Sequence, residues 1–344
     1  MSIDTHKFDI TDPLQQEGVY KDIFEDFAEG KPSLSFPRFV VVGGPPGSGK
    51  SRIAKMAKKE LAALGSPVMT DVDETRQYHP KAKDIFKEVP FKLAEITNEE
   101  CWKWTSRLLL DARNAKNNVV YQATIRNAAR IKDIIEDFQN AGFAADFYGT
   151  ATNKKNSVYG IFNRFEDDIA KRSEERPVIP RWTPLSFLNQ VYRVFPDNAD
   201  VLSRNAGLER VRIFARDGRE IYTSQGQPVH RGAKEAIVAE QERLWPQDER
   251  NAHNIAWRAL MNKIRTRQKN MFRPNWYVRA ANRYFIESGF LVQARNMFTH
   301  AIPSGLVAMY KTPHHEFVKA RDGSLVGYES AKKRKTAKTN FAPI

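Results

Sequence analysis

Apolar positions along this chain fall in short blocks separated by longer amphipathic stretches. Arg38–Gly43 is a continuous apolar run, the pattern of a parallel strand buried on both faces. Similar runs recur at Pro67–Asp71, Asn118–Gln122 and Ala144–Thr150. Between them lie segments with helical character: Ser51 up to the glycine stop at Gly65, Lys81–Lys87, Ile96–Ala115 and Ala128–Asn140. A short helix over Tyr20–Ala28 precedes the first strand and is broken at Gly30-Lys31-Pro32. Arg210–Phe214, Asp217-Gly218 and Glu220–Thr223 read as a last strand entering a hairpin through an Asp-Gly turn. Strands alternating with helices of this length predict an α/β fold, a parallel sheet flanked by helices.

After Gly226 the pattern changes. His230–Met271 and Pro274–Thr299 read as helical, charged and rich in aromatics. The last residues, SAKKRKTAKTNFAPI, are low in apolar side chains and read as disordered. The expected organisation is a domain over 1–226, a basic, mostly helical extension over 227–328, and a basic tail over 329–344.

Composition narrows the class. Of 344 residues, 41% are hydrophobic and 28% charged, as in a soluble globular protein. No apolar run approaches the roughly 20 residues a membrane helix needs. The polar N-terminus carries no secretory h-region, and the lone Cys101 excludes a disulfide framework. The expected location is the cytoplasm; delivery into a host cell without a cleaved signal would leave no mark. The net charge is +14, and from Gln227 onward 21 Lys/Arg face 9 Asp/Glu. That imbalance suggests an acidic partner for the last third, or a solvated basic surface.

The candidate chemistry starts at FVVVGGPPGSGKS, residues 39–51. In this phosphate-loop pattern Gly44, Gly47, Ser48 and Gly49 present backbone N–H groups to phosphate oxygens at a helix N-terminus. Lys50 would reach the β- and γ-phosphates of ATP, and the Ser51 hydroxyl would ligate Mg²⁺. Strand three ends in Gln122, which cannot act as a general base, so the acids after strand two become the candidates. At the C-terminal strand ends, where ligands of parallel sheets sit, Asp71 would face the γ-phosphate from the acceptor side and take a hydroxyl proton. Asp71 or Asp73 could instead cap the next helix. Arg164, on a helix after strand four, and Arg181, in the loop beyond it, could neutralise transferring charge.

Together these motifs resemble the zeta toxin family, the kinase half of epsilon–zeta toxin–antitoxin systems. The resemblance rests on GGPPGSGKS, on Asp71-Val-Asp73 with His79-Pro80, and on Gln122-Ala-Thr-Ile-Arg126, similar to the family's E-G-T-x-R. It extends through Asn156-Ser-Val-Tyr-Gly-Ile-Phe-Asn-Arg164-Phe-Glu166, Arg181-Trp-Thr-Pro184 and Val211-Arg-Ile-Phe-Ala-Arg-Asp-Gly218, over about residues 15–225. The resemblance implies a P-loop kinase that uses ATP and Mg²⁺ to phosphorylate a sugar hydroxyl of UDP-N-acetylglucosamine, acting as a toxin with a cognate antitoxin as partner. By motif position Asp71 would be the base, Lys50 and Ser51 would serve ATP and Mg²⁺, and Arg164 and Arg181 the γ-phosphate. Asp73, Gln122, Thr124 and Arg126 would fall on the acceptor side. Gln122 departs from the family's glutamate and Ala123 from its glycine, which leaves a nicotinamide dinucleotide (NAD) as a second acceptor.

A competing class is a basic NTPase acting on nucleic acid, drawn from Asn275-Trp-Tyr-Val-Arg279 and Lys332-Lys-Arg-Lys335. Trp276, Tyr277, Tyr284 and Phe285 recur at helical spacing, which reads more simply as a packing face. His314-His315 has no companion ligands at a metal-binding spacing.

Overall fold

The computed structural model describes residues 6–89, 92–170, 179–204, 207–224, 232–269, 315–319 and 325–329. Helix α1 (Pro13–Phe27) opens on Asp12, whose carboxylate accepts the Leu14 N–H, with Pro13 at the first helical position. It leads to β1 (Arg38–Gly43), α2 (Lys50–Ala62) and β2 (Val68–Asp71). Four helices follow: α3 (Val72–Thr75), α4 (Ala82–Glu88), α5 (Leu93–Ile96) and α6 (Asn98–Asn114). The chain continues through β3 (Val119–Ala123), α7 (Ala128–Asn140), β4 (Ala144–Ala151), α8 (Lys154–Ala170) and α9 (Leu185–Ser203). Next come β5 (Leu208–Ala215), β6 (Glu220–Thr223), α10 (Ala233–Glu242) and α11 (Gln247–Lys269).

The sheet runs β2-β3-β1-β4-β5-β6, parallel throughout except for the hairpin strand β6. Gly43 pairs with Ala123 of β3 and Gly149 of β4, and Asp71 pairs with Gln122. The glycine-rich loop, the acids after β2 and the segment after Gln122 therefore leave the sheet at one level, the C-terminal edge. Strand residues alternate between two cores: Val40, Val42, Val120 and Phe214 meet α2, while Phe39, Val41, Val119 and Tyr121 meet α6 and α7.

A third core lies beside the sheet. Phe162 and Phe165 of α8, Trp182, Leu188 of α9, and Trp257, Leu260 and Ile264 of α11 are all buried in it. Helix α9 is an element the sequence pattern did not disclose. Pro196 inside it reads as a break, yet Pro196 is buried on the helix's packed face. The helical expectation over His230–Met271 resolves into α10 and α11. The expected helix at Pro274–Thr299 and the expected disordered tail lie outside the described residues. In the mostly helical extension, β7 (His315–Lys319) and β8 (Leu325–Glu329) instead pair antiparallel. No helical stretch is read over these residues, and Phe317-Val318 and Leu325-Val326 flank Asp322-Gly323, a hairpin signal in the sequence. Among the described residues no helix is long and apolar enough to cross a membrane.

Away from the loop end of the sheet, Asp146 is fully buried and holds Arg38 Nη2 at 3.0 Å and Arg210 Nη2 at 2.8 Å. Removing a buried anion leaves its cations uncompensated. Asp146→Ala should therefore lower unfolding free energy by about 3–5 kcal/mol, measured by urea denaturation.

Candidate active site

The loop after β1 is held by contacts that tolerate no side chain. A Cβ on Gly44 would lie 1.9 Å from Thr150 Oγ1 of β4, and one on Gly47 would lie 2.2 Å from the Ser157 carbonyl of α8. Gly47 also has φ +72°, where side chains are rarely accommodated. Ser48 is buried and its Oγ lies 2.6 Å from Thr150 Oγ1, which donates to the Gly43 carbonyl at 3.1 Å. Gly49 starts α2 in the left-handed region. Gly47→Ala should therefore distort the loop. Titration with a fluorescent ATP analogue is expected to show affinity reduced by at least about ten-fold, one order per 1.4 kcal/mol of strain.

Lys50 Nζ donates to the carbonyls of Gly44 and Pro45, at 2.9 and 3.1 Å. Burial, and then the Arg164 charge, lower its pKa to about 8 against the opposing pull of Asp71 and Asp73. Ser51 is exposed at the head of α2, beside a pocket of about 410 Å³ lined by Arg52, Lys55, Met56 and Lys59. Among the described residues no cluster of three His, Cys, Asp or Glu could hold a metal. A single hydroxyl fits Mg²⁺, which draws its other ligands from phosphate and water.

Asp71 and Asp73 sit at the β2–α3 junction, and both are half-buried. Asp71 Oδ1 accepts the Asp73 N–H at 2.9 Å, so it does cap α3. Burial and the Asp73 charge raise its pKa. For Asp73 burial pulls upward too, but Arg76, Arg164 and Arg181 together hold its carboxyl below the usual range. Arg76 Nη1 donates to Asp73 Oδ1, and Arg164 Nη1 is 4.0 Å from Asp73 Oδ2. Burial and Asp71 raise neighbouring Glu74 to about 7.

The arginines converge from α8 and the loop before α9. Arg164 Nη2 donates to Thr183 Oγ1 at 3.0 Å, and the Arg181 backbone N–H donates to Asp168 Oδ2 at 3.4 Å. The Nε of Arg164 is buried with no hydrogen-bond partner, while that of Arg181, also buried, is ion-paired with Asp168 Oδ2 at 3.7 Å. Burial, then Arg181, lowers the Arg164 pKa; burial opposes, but Asp73 and Asp71 raise that of Arg181. Two buried guanidinium N–H groups, a lysine at a glycine-cleared loop and a helix N-terminus together suit a polyphosphate such as ATP.

At the end of β3, Gln122 is buried and its Oε1 has no hydrogen-bond partner. Thr124 is half-buried, and the exposed Arg126 lies over the Phe187 ring of α9 at 5.7 Å. Between them Ile125 has φ +51°, a strained conformation for a β-branched residue. Its side chain covers Gly43, where a Cβ would come within 2.5 Å of Ile125 Cγ1. Asn198 Nδ2 of α9 donates to the carbonyls of Ile125 and Arg126, at 2.8 and 3.0 Å, and holds the turn.

Lys50, Asp71, Asp73, Arg164 and Arg181 are thus brought together, with Gln122 at the same sheet level. Two further arginines were not singled out from sequence. Arg76 anchors Asp73 and donates through Nε to Thr97 Oγ1 at 2.9 Å; its position three residues before His79 was the available signal. Arg216 Nη1 donates to the Gly47 carbonyl and, at 3.0 Å, to that of Asn156, from just before the Asp-Gly turn. His79 is buried, accepts the Lys81 N–H at 3.2 Å, and is lowered to about 4 by burial and then by Lys81 and Arg76, as fits a structural histidine.

Comparison with known proteins places these residues in a wider set. A family model described as zeta toxin matches residues 23–227. Toxin zeta of Streptococcus pyogenes is 24% identical over 214 residues, covering 62% of this chain and 72% of that protein. Toxin PezT of Streptococcus pneumoniae serotype 4 is 24% identical over 217 residues, 63% of this chain and 83% of that protein. A solved structure from the PezAT chromosomal toxin–antitoxin system of Streptococcus pneumoniae superposes with TM-score 0.62 at 20% identity, covering 76% of this chain and all of that one.

Proposed function

This chain belongs to the zeta toxin family, and on that premise we propose that it is an ATP-dependent kinase that phosphorylates a sugar hydroxyl of a nucleotide-linked metabolite, acts as a toxin in the cytoplasm, and is neutralised by a cognate antitoxin protein. The observation that carries the proposal is the convergence of the Arg164 and Arg181 guanidinium groups, with Arg164 Nε buried and without a hydrogen-bond partner, on the edge where Lys50, Asp71 and Asp73 meet.

In this reading the 44–49 backbone and Lys50 hold the ATP phosphates, and Ser51 holds the accompanying Mg²⁺. ATP supplies the γ-phosphoryl group. Arg164 and Arg181 neutralise the charge that spreads over its oxygens. The two carboxylates divide their work. Asp71 Oδ1 accepts the Asp73 N–H of the α3 cap, which leaves Oδ2 to receive the acceptor's hydroxyl proton, and its raised pKa suits a general base. Asp73, ion-paired with Arg76 and near Arg164, holds those arginines in place.

The acceptor we propose is UDP-N-acetylglucosamine. Gln122 and Thr124 would read the sugar, and Arg126 would hold the diphosphate. One observation favours NAD as a second reading. The buried, free Gln122 Oε1 can accept from a sugar or ribose hydroxyl without a carboxylate's repulsion of a nearby diphosphate. Thin-layer assays with labelled ATP and each candidate decide between them. Labelling of neither, with rapid labelling of a free nucleoside or a protein hydroxyl, would sink both. Expression in bacteria should arrest growth, and an Asp71→Asn chain should not; equal toxicity of that variant would move the activity to the basic C-terminal region.

A further inference from the structure

The family match ends at residue 227, yet α11 lies against the helix that carries Arg164. Its Trp257 ring meets Tyr159 at 5.4 Å and Phe162 at 5.6 Å, and Phe162 in turn meets Trp182, the residue after Arg181, at 5.5 Å. From the same indole a line of hydrogen bonds reaches the phosphate loop. Trp257 Nε1 donates to His253 Nε2 at 2.9 Å. An indole nitrogen only donates, so His253 Nε2 must accept and Nδ1 must carry the ring proton. His253 Nδ1 then donates to Asn156 Oδ1 at 3.1 Å. The link then passes to the main chain: the Asn156 backbone carbonyl accepts from Arg216 Nη1, which also donates to the Gly47 backbone carbonyl at the tip of the loop.

We propose that α11 is a positioning element of the nucleotide site, with His253 fixing the tip of the phosphate loop through Asn156 and Arg216. The chain of bonds requires a neutral imidazole in one tautomer. Burial, then Lys155 and Arg216, lower the His253 pKa to about 4 against the pull of Glu249, so that form prevails at neutral pH. Lys263 ties α11 down a second time, donating to Asp167 of α8 at 2.7 Å. The loop tip itself has little freedom in place: a Cβ on Gly160 of α8 would lie 2.5 Å from the Gly47 carbonyl. Releasing the Asn156 side chain loosens the first turn of α8, and with it the backbone carbonyl through which Arg216 is tied to Gly47. The loop would then present its N–H groups less well to phosphate, which is a loss of preorganisation rather than of a contact.

The nucleotide part of this inference rests on the kinase reading, so the test has one arm that does not. Amide hydrogen exchange over residues 44–51 and titration with a fluorescent ATP analogue are measured for the full-length chain. His253→Phe keeps an aromatic ring but loses both bonds; His253→Gln can donate and accept. His253→Phe should speed exchange over 44–51 and weaken analogue binding roughly ten-fold, the worth of about one net hydrogen bond. His253→Gln should recover both. If His253→Phe does not fold, Asn156→Ala, which leaves the α11 core rings intact, carries the same expectation. Unchanged exchange over 44–51, or a glutamine variant no better than phenylalanine, would reduce α11 to packing. Failure of the wild-type chain to bind the analogue would overturn the kinase reading, while exchange would still decide the role of His253.

Discussion

The Asp71→Asn variant is expected to bind ATP and to transfer phosphate roughly 10²–10⁴-fold more slowly than the wild-type chain. Asparagine keeps the shape and can still cap α3 by accepting the Asp73 N–H, but it cannot take a proton from a hydroxyl. Single-turnover transfer and analogue titration separate the two effects. Asp73→Asn is the comparison, and its stability follows from linkage. The Asp73 pKa is depressed in the folded chain, so its carboxylate contributes stability above its unfolded pKa, and this is lost as pH falls through the folded value. The Asp73→Asn variant should therefore be less stable than wild type at neutral pH, with the difference shrinking in acid. Full turnover in Asp71→Asn, with a large loss in Asp73→Asn, would move the base role to Asp73.

Arg164→Ala should lower turnover about 10³-fold, at the lower end of what a charge-neutralising arginine contributes to phosphoryl transfer. The guanidinium is anchored by Thr183 and approaches Asp73 at 4.0 Å, leaving Nε free for an anion. Arg164→Lys should rescue little, because an ammonium cannot meet Thr183 and a phosphate oxygen at once with the same planar fork. Rescue to near wild-type rates would show that only net charge matters there. The readout is kcat at saturating ATP, since weaker ATP binding alone would disappear under that condition.

The central fold was legible because its signals are local. The bounds of β1 and α7 coincide with the apolar run at Arg38–Gly43 and the helical pattern at Ala128–Asn140. The phosphate loop was readable because glycine spacing reflects backbone geometry directly. Helix α9 was not, since Pro196 imitates a terminus and only its burial among other elements explains its tolerance. Arg76 and Arg216 were missed for another reason. Arg216 acts on backbone carbonyls far away in sequence, which a single sequence does not mark, and the Arg76–Asp73 spacing of three residues is too common on helices to stand out. The same holds for α11, whose amphipathic face gives no hint that it would cover the helix bearing Arg164.

Ile125 shows how two physical demands can close off a position. Its backbone sits where glycine or asparagine would be comfortable, and a strained residue there costs on the order of 1–3 kcal/mol. Its side chain is almost wholly buried and fills the notch over Gly43 and against Phe147. Glycine would relax the backbone but leave a void where a branched side chain was, costing about 2–5 kcal/mol. Leucine would keep the volume without the branch that lies on Gly43, and valine would keep the strain while losing a methylene. Every single substitution loses on one count or the other. The turn between Thr124 and Arg126 is therefore a local optimum reachable only by changing residues 43 and 125 together. A library randomised at position 125 alone should return isoleucine, while one randomised at both positions should also return other pairs that fill the same notch.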